Sequence, residues 1–149
     1  DSKPQLEREL HLNRKHLPHA NKIDAHYCAR WAGLKTLKKI HANPGAGNQM
    51  QVQISRYHNS DDRYLVISMG RMVFEDEGLA TSTCLGILIN NRAKRKIKWL
   101  ADSGLEELEV NVLCEKCDIP NCKERQADPE ILQKRQYRKL IREKLNNLH

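Results

Sequence analysis

The sequence lacks the features of a membrane-spanning or exported protein. No stretch approaches the roughly 18 apolar residues that a membrane-spanning helix needs, and no signal peptide is visible. The chain begins at Asp1 without an initiator methionine, so we interpret it as a fragment of a longer protein. Its five cysteines are an odd number, which suits a reducing compartment better than a secreted disulfide scaffold. We therefore expect a cytoplasmic protein without a membrane partner.

The sequence also lacks recognisable catalytic motifs. It contains no H-E-x-x-H, no phosphate-binding glycine loop and no G-x-S-x-G. Asp61 and Asp62 are adjacent in a polar segment, where paired acids are ordinary turn residues. We therefore expect that the chain is not an enzyme.

The length and charge set broad limits on the fold and on the partner. A chain of 149 residues is long enough for a domain with a substantial core. Residues 1–21 are polar and basic, and we interpret them as a linker or N-terminal extension that precedes one domain at 22–149. The net charge of +7 favours nucleic acid or another acidic partner, but it carries no information about the fold.

The hydrophobic pattern predicts an α+β domain with a mainly antiparallel sheet of about four or five strands packed with helices. Its general shape would suit a GAF-like or profilin-like sensor domain. We expect one face of the sheet to lie on a helix layer. The predicted elements are a helix at 22–41, strands at 50–55, 64–69 and 81–89, a short helix at 90–102, a strand at 108–113 and a final helix from 128.

Three cysteines occur within nine residues, at Cys114, Cys117 and Cys122. The first two form a C-x2-C pair, a spacing that directs two thiols toward one point, as a tetrahedral Zn2+ requires. Structural zinc usually has four ligands, so a distant part of the chain must supply another one. A redox pair and unliganded cysteines are the competing interpretations, but redox C-x2-C motifs usually open a helix after a strand.

We predict that Cys28 is the fourth zinc ligand, which makes Zn2+ the expected cofactor. Its ordinary role would be that of a small core residue, since it lies beside an apolar stripe. His26, Cys84, another group or water are the alternatives for this position. Such a site would connect the first helix with the cysteine cluster.

The segment from Arg92 to Lys98 is strongly basic. Its positive side chains could bind phosphate groups, or they could be an ordinary solvated helix face. The candidate nucleic-acid-binding residues are Arg92, Lys94, Arg95 and Lys98.

An ordered set of sequence segments resembles a known family. The set consists of His26–Trp31, Gln53–Tyr57, Tyr64–Met69, the Cys114/Cys117 pair, and Asn121-Cys122 followed by Arg125 before a basic helix. It is similar to the C-terminal regulatory domain of XRE-family helix-turn-helix bacterial transcription regulators, and distantly to that of the short-chain fatty acyl regulators. The resemblance covers residues 22–145.

This resemblance implies a regulatory or ligand-sensing domain, or an interaction domain. Its partner would be a small molecule or a protein, with a homodimer as a further option. DNA would be bound by an N-terminal helix-turn-helix domain that these residues do not include.

Overall fold

The computed structural model describes residues 4–10, 12, 25–74 and 76–146. A four-stranded sheet is built from β1 (Gln49–Tyr57), β2 (Arg63–Phe74), β3 (Leu79–Leu88) and β4 (Glu107–Val110). The strand order is β3-β2-β1-β4, with β1–β2 and β2–β3 antiparallel and β4 parallel to β1. With helices α1 (Ala32–Ala42), α2 (Asn91–Lys96) and α3 (Glu130–Asn146), this confirms the predicted α+β class.

The chain divides into two units, which are described separately. The sheet unit is Ala29–Val110, and it contains the four strands with α1 and α2. The cysteine unit combines Asp1–Cys28 with Asn111–His149 and contains α3. The predicted extension at 1–21 lies largely outside the described residues, so its boundary stays a prediction. No helix in the described part of the chain is long and apolar enough to cross a membrane.

A polar turn joins β1 to β2, as the sequence predicts. Asn59 has a φ of 59°, a left-handed conformation that asparagine tolerates better than most residues. The Asp62 backbone N–H donates to Ser60 Oγ at 3.0 Å, which closes the turn. The hairpin register then runs from Arg56 opposite Arg63 to Gln49 opposite Gly70.

Helix α1 packs closely on one face of the sheet. Thr36 Oγ1 donates to Ser68 Oγ at 2.9 Å, and both residues are fully buried. A Cβ built on Gly70 would lie 2.9 Å from atoms of both Thr36 and Ile40. The buried residues of α1 are Ala32, Thr36 and Ile40, which recur every fourth position and so share one side of the helix.

The predicted apolar sheet residues point away from α1. Ser68 faces the helix, and neighbouring residues of a strand point to opposite faces, so Ile67 faces the other side. Val52 and Leu85 pair directly with Ile67 and therefore share that side. One sheet face does lie on a helix, as expected, but the apolar residues are on the other face. The complete predicted set is Val52, Ile54, Leu65, Ile67, Leu85 and Ile87.

Opposite charges meet where β1 and β4 run side by side. Arg56 Nη1 lies 3.2 Å from Glu109 Oε1, and His58 Nδ1 lies 3.0 Å from the same oxygen. The hydrogen bond with His58 is the main cause that lowers the pKa of the Glu109 carboxyl. Arg63 also pairs with Glu107. The Arg56 and Arg63 pairs are partly exposed, where an ion pair contributes little to stability.

The connection from β3 to β4 contains the predicted short helix in a reduced form. Asn90 caps α2, because its side chain accepts a hydrogen bond from the Ala93 backbone N–H at 2.9 Å. After α2 the chain makes a 3-10 turn at Lys98–Ala101. Strand β4 then ends at Val110, three residues before the predicted end of that strand.

The first predicted helix begins much later than expected. The pattern predicts a helix from Lys22, but α1 begins only at Ala32. Residues 21–24 lie outside the described part of the chain. Tyr27 instead forms an antiparallel bridge with Leu113, so it is extended rather than helical.

Candidate metal centre

Two distant segments of the cysteine unit pair through their backbones. The Tyr27–Leu113 bridge is antiparallel. On one side of it, the Cys28 N–H donates to the Val112 carbonyl oxygen at 3.2 Å. On the other side, the Cys114 N–H donates to the His26 carbonyl oxygen at 2.8 Å. The segment carrying Cys28 therefore runs beside the segment that leads into the cysteine cluster.

The C-x2-C pair forms a tight turn. The Cys117 N–H donates to the Cys114 carbonyl oxygen at 3.1 Å, which closes a 3-10 turn at Cys114–Lys116. Cys28, Cys114 and Cys117 are each no more than 7% exposed, and Cys122 is half-buried. Most of the predicted ligand set is thus shielded from water.

Arg125 binds the backbone of the cysteine loop. Its guanidinium donates to the carbonyl oxygens of Ile119 at 2.7 Å and Cys117 at 3.2 Å. A further bond at 3.5 Å reaches the Cys114 carbonyl oxygen. One side chain therefore bonds carbonyl groups at three positions of a short irregular loop, of which the Cys114 carbonyl also accepts the Cys117 N–H. This role of Arg125 was not predicted from the sequence, although the residue follows Cys122 by only three positions and so had to lie near the cysteine loop.

His26 and Glu115 form a second polar contact beside the cysteines. The His26 backbone N–H donates to Glu115 Oε1 at 3.0 Å, and His26 Nδ1 lies 2.8 Å from the same oxygen. Burial acts to raise the pKa of the Glu115 carboxyl, but the pKa lies below its ordinary value because hydrogen bonds with His26 and with the Glu115 backbone N–H, together with the charge of His26, lower it. A carboxylate on Nδ1 is also the arrangement that orients the Nε2 of a metal-binding histidine. His26 therefore stays open as an alternative ligand.

Cys84 belongs to the other unit, on strand β3. A Cβ built on Gly33 of α1 would lie 2.9 Å from Cys84 Sγ, so the sulfur lies against the helix. Burial raises the pKa of this thiol, and hydrogen bonds with Ser68 and the Gly33 backbone act in the opposite direction. The four predicted ligands, by contrast, all belong to the cysteine unit.

The donor atoms suit zinc, but the described residues do not form an assembled metal site. All five cysteines lie in the described part of the chain, and none forms a disulfide. Within that part, no three His, Cys, Asp or Glu side chains are grouped so that they could hold a metal ion. Four thiolates remain a ligand set that selects zinc in a reducing compartment. The zinc site thus stays a prediction, with Cys28, Cys114, Cys117 and Cys122 as its ligands.

The basic residues proposed for phosphate binding lie in the sheet unit. Arg92, Lys94 and Arg95 are on α2, and Lys98 begins the 3-10 turn that follows. All four are exposed, as a phosphate-binding surface and a solvated helix face both require.

Comparisons with protein-family models, with curated proteins and with solved structures found no match to this chain.

Proposed function

We propose that the chain is a regulatory or ligand-sensing domain, or an interaction domain, of a bacterial transcription regulator, stapled by one structural Zn2+. The ligands would be Cys28, Cys114, Cys117 and Cys122. The observation that carries the zinc proposal is the backbone pairing of His26–Cys28 with Val112–Cys114. This pairing brings the predicted distant ligand beside the C-x2-C turn, while the Cys84 sulfur lies against Gly33 of α1.

The metal would add stability to a unit whose long final helix contributes no buried residue in the described part of the chain. This helix therefore adds little core to the cysteine unit. A zinc ion bound by four thiolates would link the two segments, and its binding free energy would become folding free energy. Binding would also lower the net charge from +7 to about +5, because four thiolates outweigh the two charges of the ion.

We expect Cys117→Ser to lower the melting temperature strongly, because it removes a thiolate ligand from a site whose binding is coupled to folding. Cys84→Ser is the matched control, since it also removes one thiol, and it should lower the melting temperature much less. Thermal unfolding followed by circular dichroism, in buffer with one equivalent of zinc, measures both. Equal effects of the two substitutions would contradict the proposed ligand set.

The ordered set of segments that resembles the regulatory domain of XRE-family regulators supports the regulatory role. The chain would act in the cytoplasm, recognise a small molecule or a protein, and be joined to a DNA-binding domain elsewhere in the full protein. The sequence contains none of the three catalytic motifs named above, which favours binding over catalysis. The chemical identity of a ligand does not follow from the resemblance.

The alternative is a zinc domain that binds nucleic acid directly. It is favoured by the exposure of Arg92, Lys94, Arg95 and Lys98 on consecutive turns of the chain. Binding of this kind would weaken roughly tenfold to thousandfold over a few-fold rise in salt, because each phosphate contact releases counterions. A sensor domain would show no appreciable affinity for DNA at any salt concentration.

A further inference from the structure

The sheet face opposite α1 carries an exposed apolar surface beside Ile54 and Leu65, which lie on the same face and are only 5% and 0% exposed. Met50 pairs with Met69, and these side chains are 62% and 59% exposed. Leu85, opposite Ile67 on the neighbouring strand, is 59% exposed. We call this surface the apolar face. Beyond Arg71 and Thr81, at the far end of the β2–β3 hairpin where the register is irregular, three further apolar residues are exposed and are included in the apolar face: Val73, Phe74 and Leu79.

The apolar face is large for the surface of a monomer. Its six large exposed side chains leave on the order of 600 Å² accessible, the upper end of the largest apolar patch on a typical monomer. That area is about three-quarters of the ~800 Å² that each partner contributes to a standard interface. Val52 and Ile67, which are half-buried on the same face, would add to it. With these two residues the face approaches the area that one partner contributes to a standard interface.

The charge distribution indicates what can cover the face. Among the exposed apolar residues of this face the one charged residue is Arg71. Beyond Ile54 and Leu65 the same face carries Arg56 and Arg63, whose charges are paired with Glu109 and Glu107. The chain as a whole has a net charge of +7, so most surfaces of two copies repel each other. The apolar face is nearly free of that repulsion. An acidic partner would find few charges to contact there.

We propose that two copies of the chain dimerise by packing their apolar faces against each other. An apolar surface without a charge pattern is complementary to its own copy, as a two-fold symmetric interface requires. Two sheets packed in this way form a sandwich whose core lies between the facing strands. The inference concerns the sheet unit and does not depend on zinc binding by the cysteine unit.

Sedimentation velocity tests the proposal. The wild-type chain should sediment as a dimer of twice 17.3 kDa at micromolar concentration. Met69→Glu should sediment as a monomer, because two buried carboxylates would face an apolar surface. Met50→Glu, on the adjacent strand, should have the same effect and guards against a folding defect peculiar to Met69. Circular dichroism of both variants should match the wild type.

Tyr137→Glu is the matched control. Tyr137 is 66% exposed on α3, outside the apolar face, so its replacement should leave the dimer intact. A monomeric wild-type protein, or a dimer that persists in both Met69→Glu and Met50→Glu, would overturn the proposal. Mass and zinc content are separate measurements, so failure of the dimer would leave the zinc proposal standing.

Discussion

Gly70 shows why the sheet face below α1 needs small residues. A Cβ at this position would lie 2.7 Å from the Thr81 carbonyl oxygen and 2.9 Å from side-chain atoms of Thr36 and Ile40. The carbonyl oxygen belongs to the β2–β3 ladder and cannot move without disturbing the strand pairing. Helix and sheet can therefore approach this closely only because residue 70 has no side chain.

We expect Gly70→Ala to destabilise the protein by about 1–3 kcal/mol, the usual cost of overpacking a close contact. Gly86→Ala is the control on the neighbouring strand. Its Cβ would meet only Tyr64, at an ordinary 3.8 Å, so the free energy of unfolding should change by less than about 0.5 kcal/mol. Urea unfolding of both variants measures the difference. Equal free energies of unfolding for the two variants would show that α1 is not packed on Gly70.

Individual residues of the candidate site were only partly predictable from the sequence. The C-x2-C spacing indicates a turn, and the structure has one at Cys114–Lys116. The contacts of Arg125 with three carbonyl oxygens were not predicted, since they depend on the path of an irregular loop. The pairing of His26 with Glu115 was missed for the same reason, because the two residues are 89 positions apart in sequence.

Strands were predicted better than helices. Alternation of apolar and polar residues identified β1, β2 and β3, and backbone pairing extended each of them by a few residues. The first helix was predicted ten residues too early, because Tyr27 pairs with Leu113 instead of continuing a helical stripe. A single-sequence periodicity cannot detect such a long-range pairing.

The side of the sheet that α1 covers was also not predictable. Apolar residues usually mark the buried face. Here α1 buries small and polar residues against each other, including Thr36 and Ser68, which satisfy one another by a hydrogen bond. On the more hydrophobic face, Met50, Met69 and Leu85 stay exposed for another contact, which in our proposal is with a second copy of the chain.

At the scale of elements, the basic side chains of α2 and of the turn after it can be tested for packing, because solvated and packed side chains contribute differently to stability. Replacing Lys94, Arg95 and Lys98 together by Ala should leave the melting temperature nearly unchanged, because exposed charges contribute less than about 0.5 kcal/mol each. Thermal unfolding of the triple variant measures this. A large drop in melting temperature would mean that these side chains are packed in the folded protein.

The division into two units bears directly on the zinc proposal. The α+β class follows from the order of periodic segments, and it is confirmed. The assembly of one unit from Asp1–Cys28 and Asn111–His149 could not be predicted from composition or charge. The requirement for a distant fourth ligand did, however, predict that a remote segment meets the cysteine cluster. The backbone pairing at Cys28 and Cys114 agrees with that expectation.

The zinc content of purified variants tests the central claim most directly. Elemental analysis should find about one zinc per chain in the wild type, as four thiolates bind one tetrahedral ion. Cys84→Ser should keep that zinc, because the Cys84 sulfur lies against Gly33 of α1 and hydrogen-bonds Ser68. Cys28→Ser should lose it, because the remaining three thiolates leave the site incomplete. A metal-free wild-type protein of full stability, or a Cys28→Ser variant that retains one zinc per chain, would contradict the account.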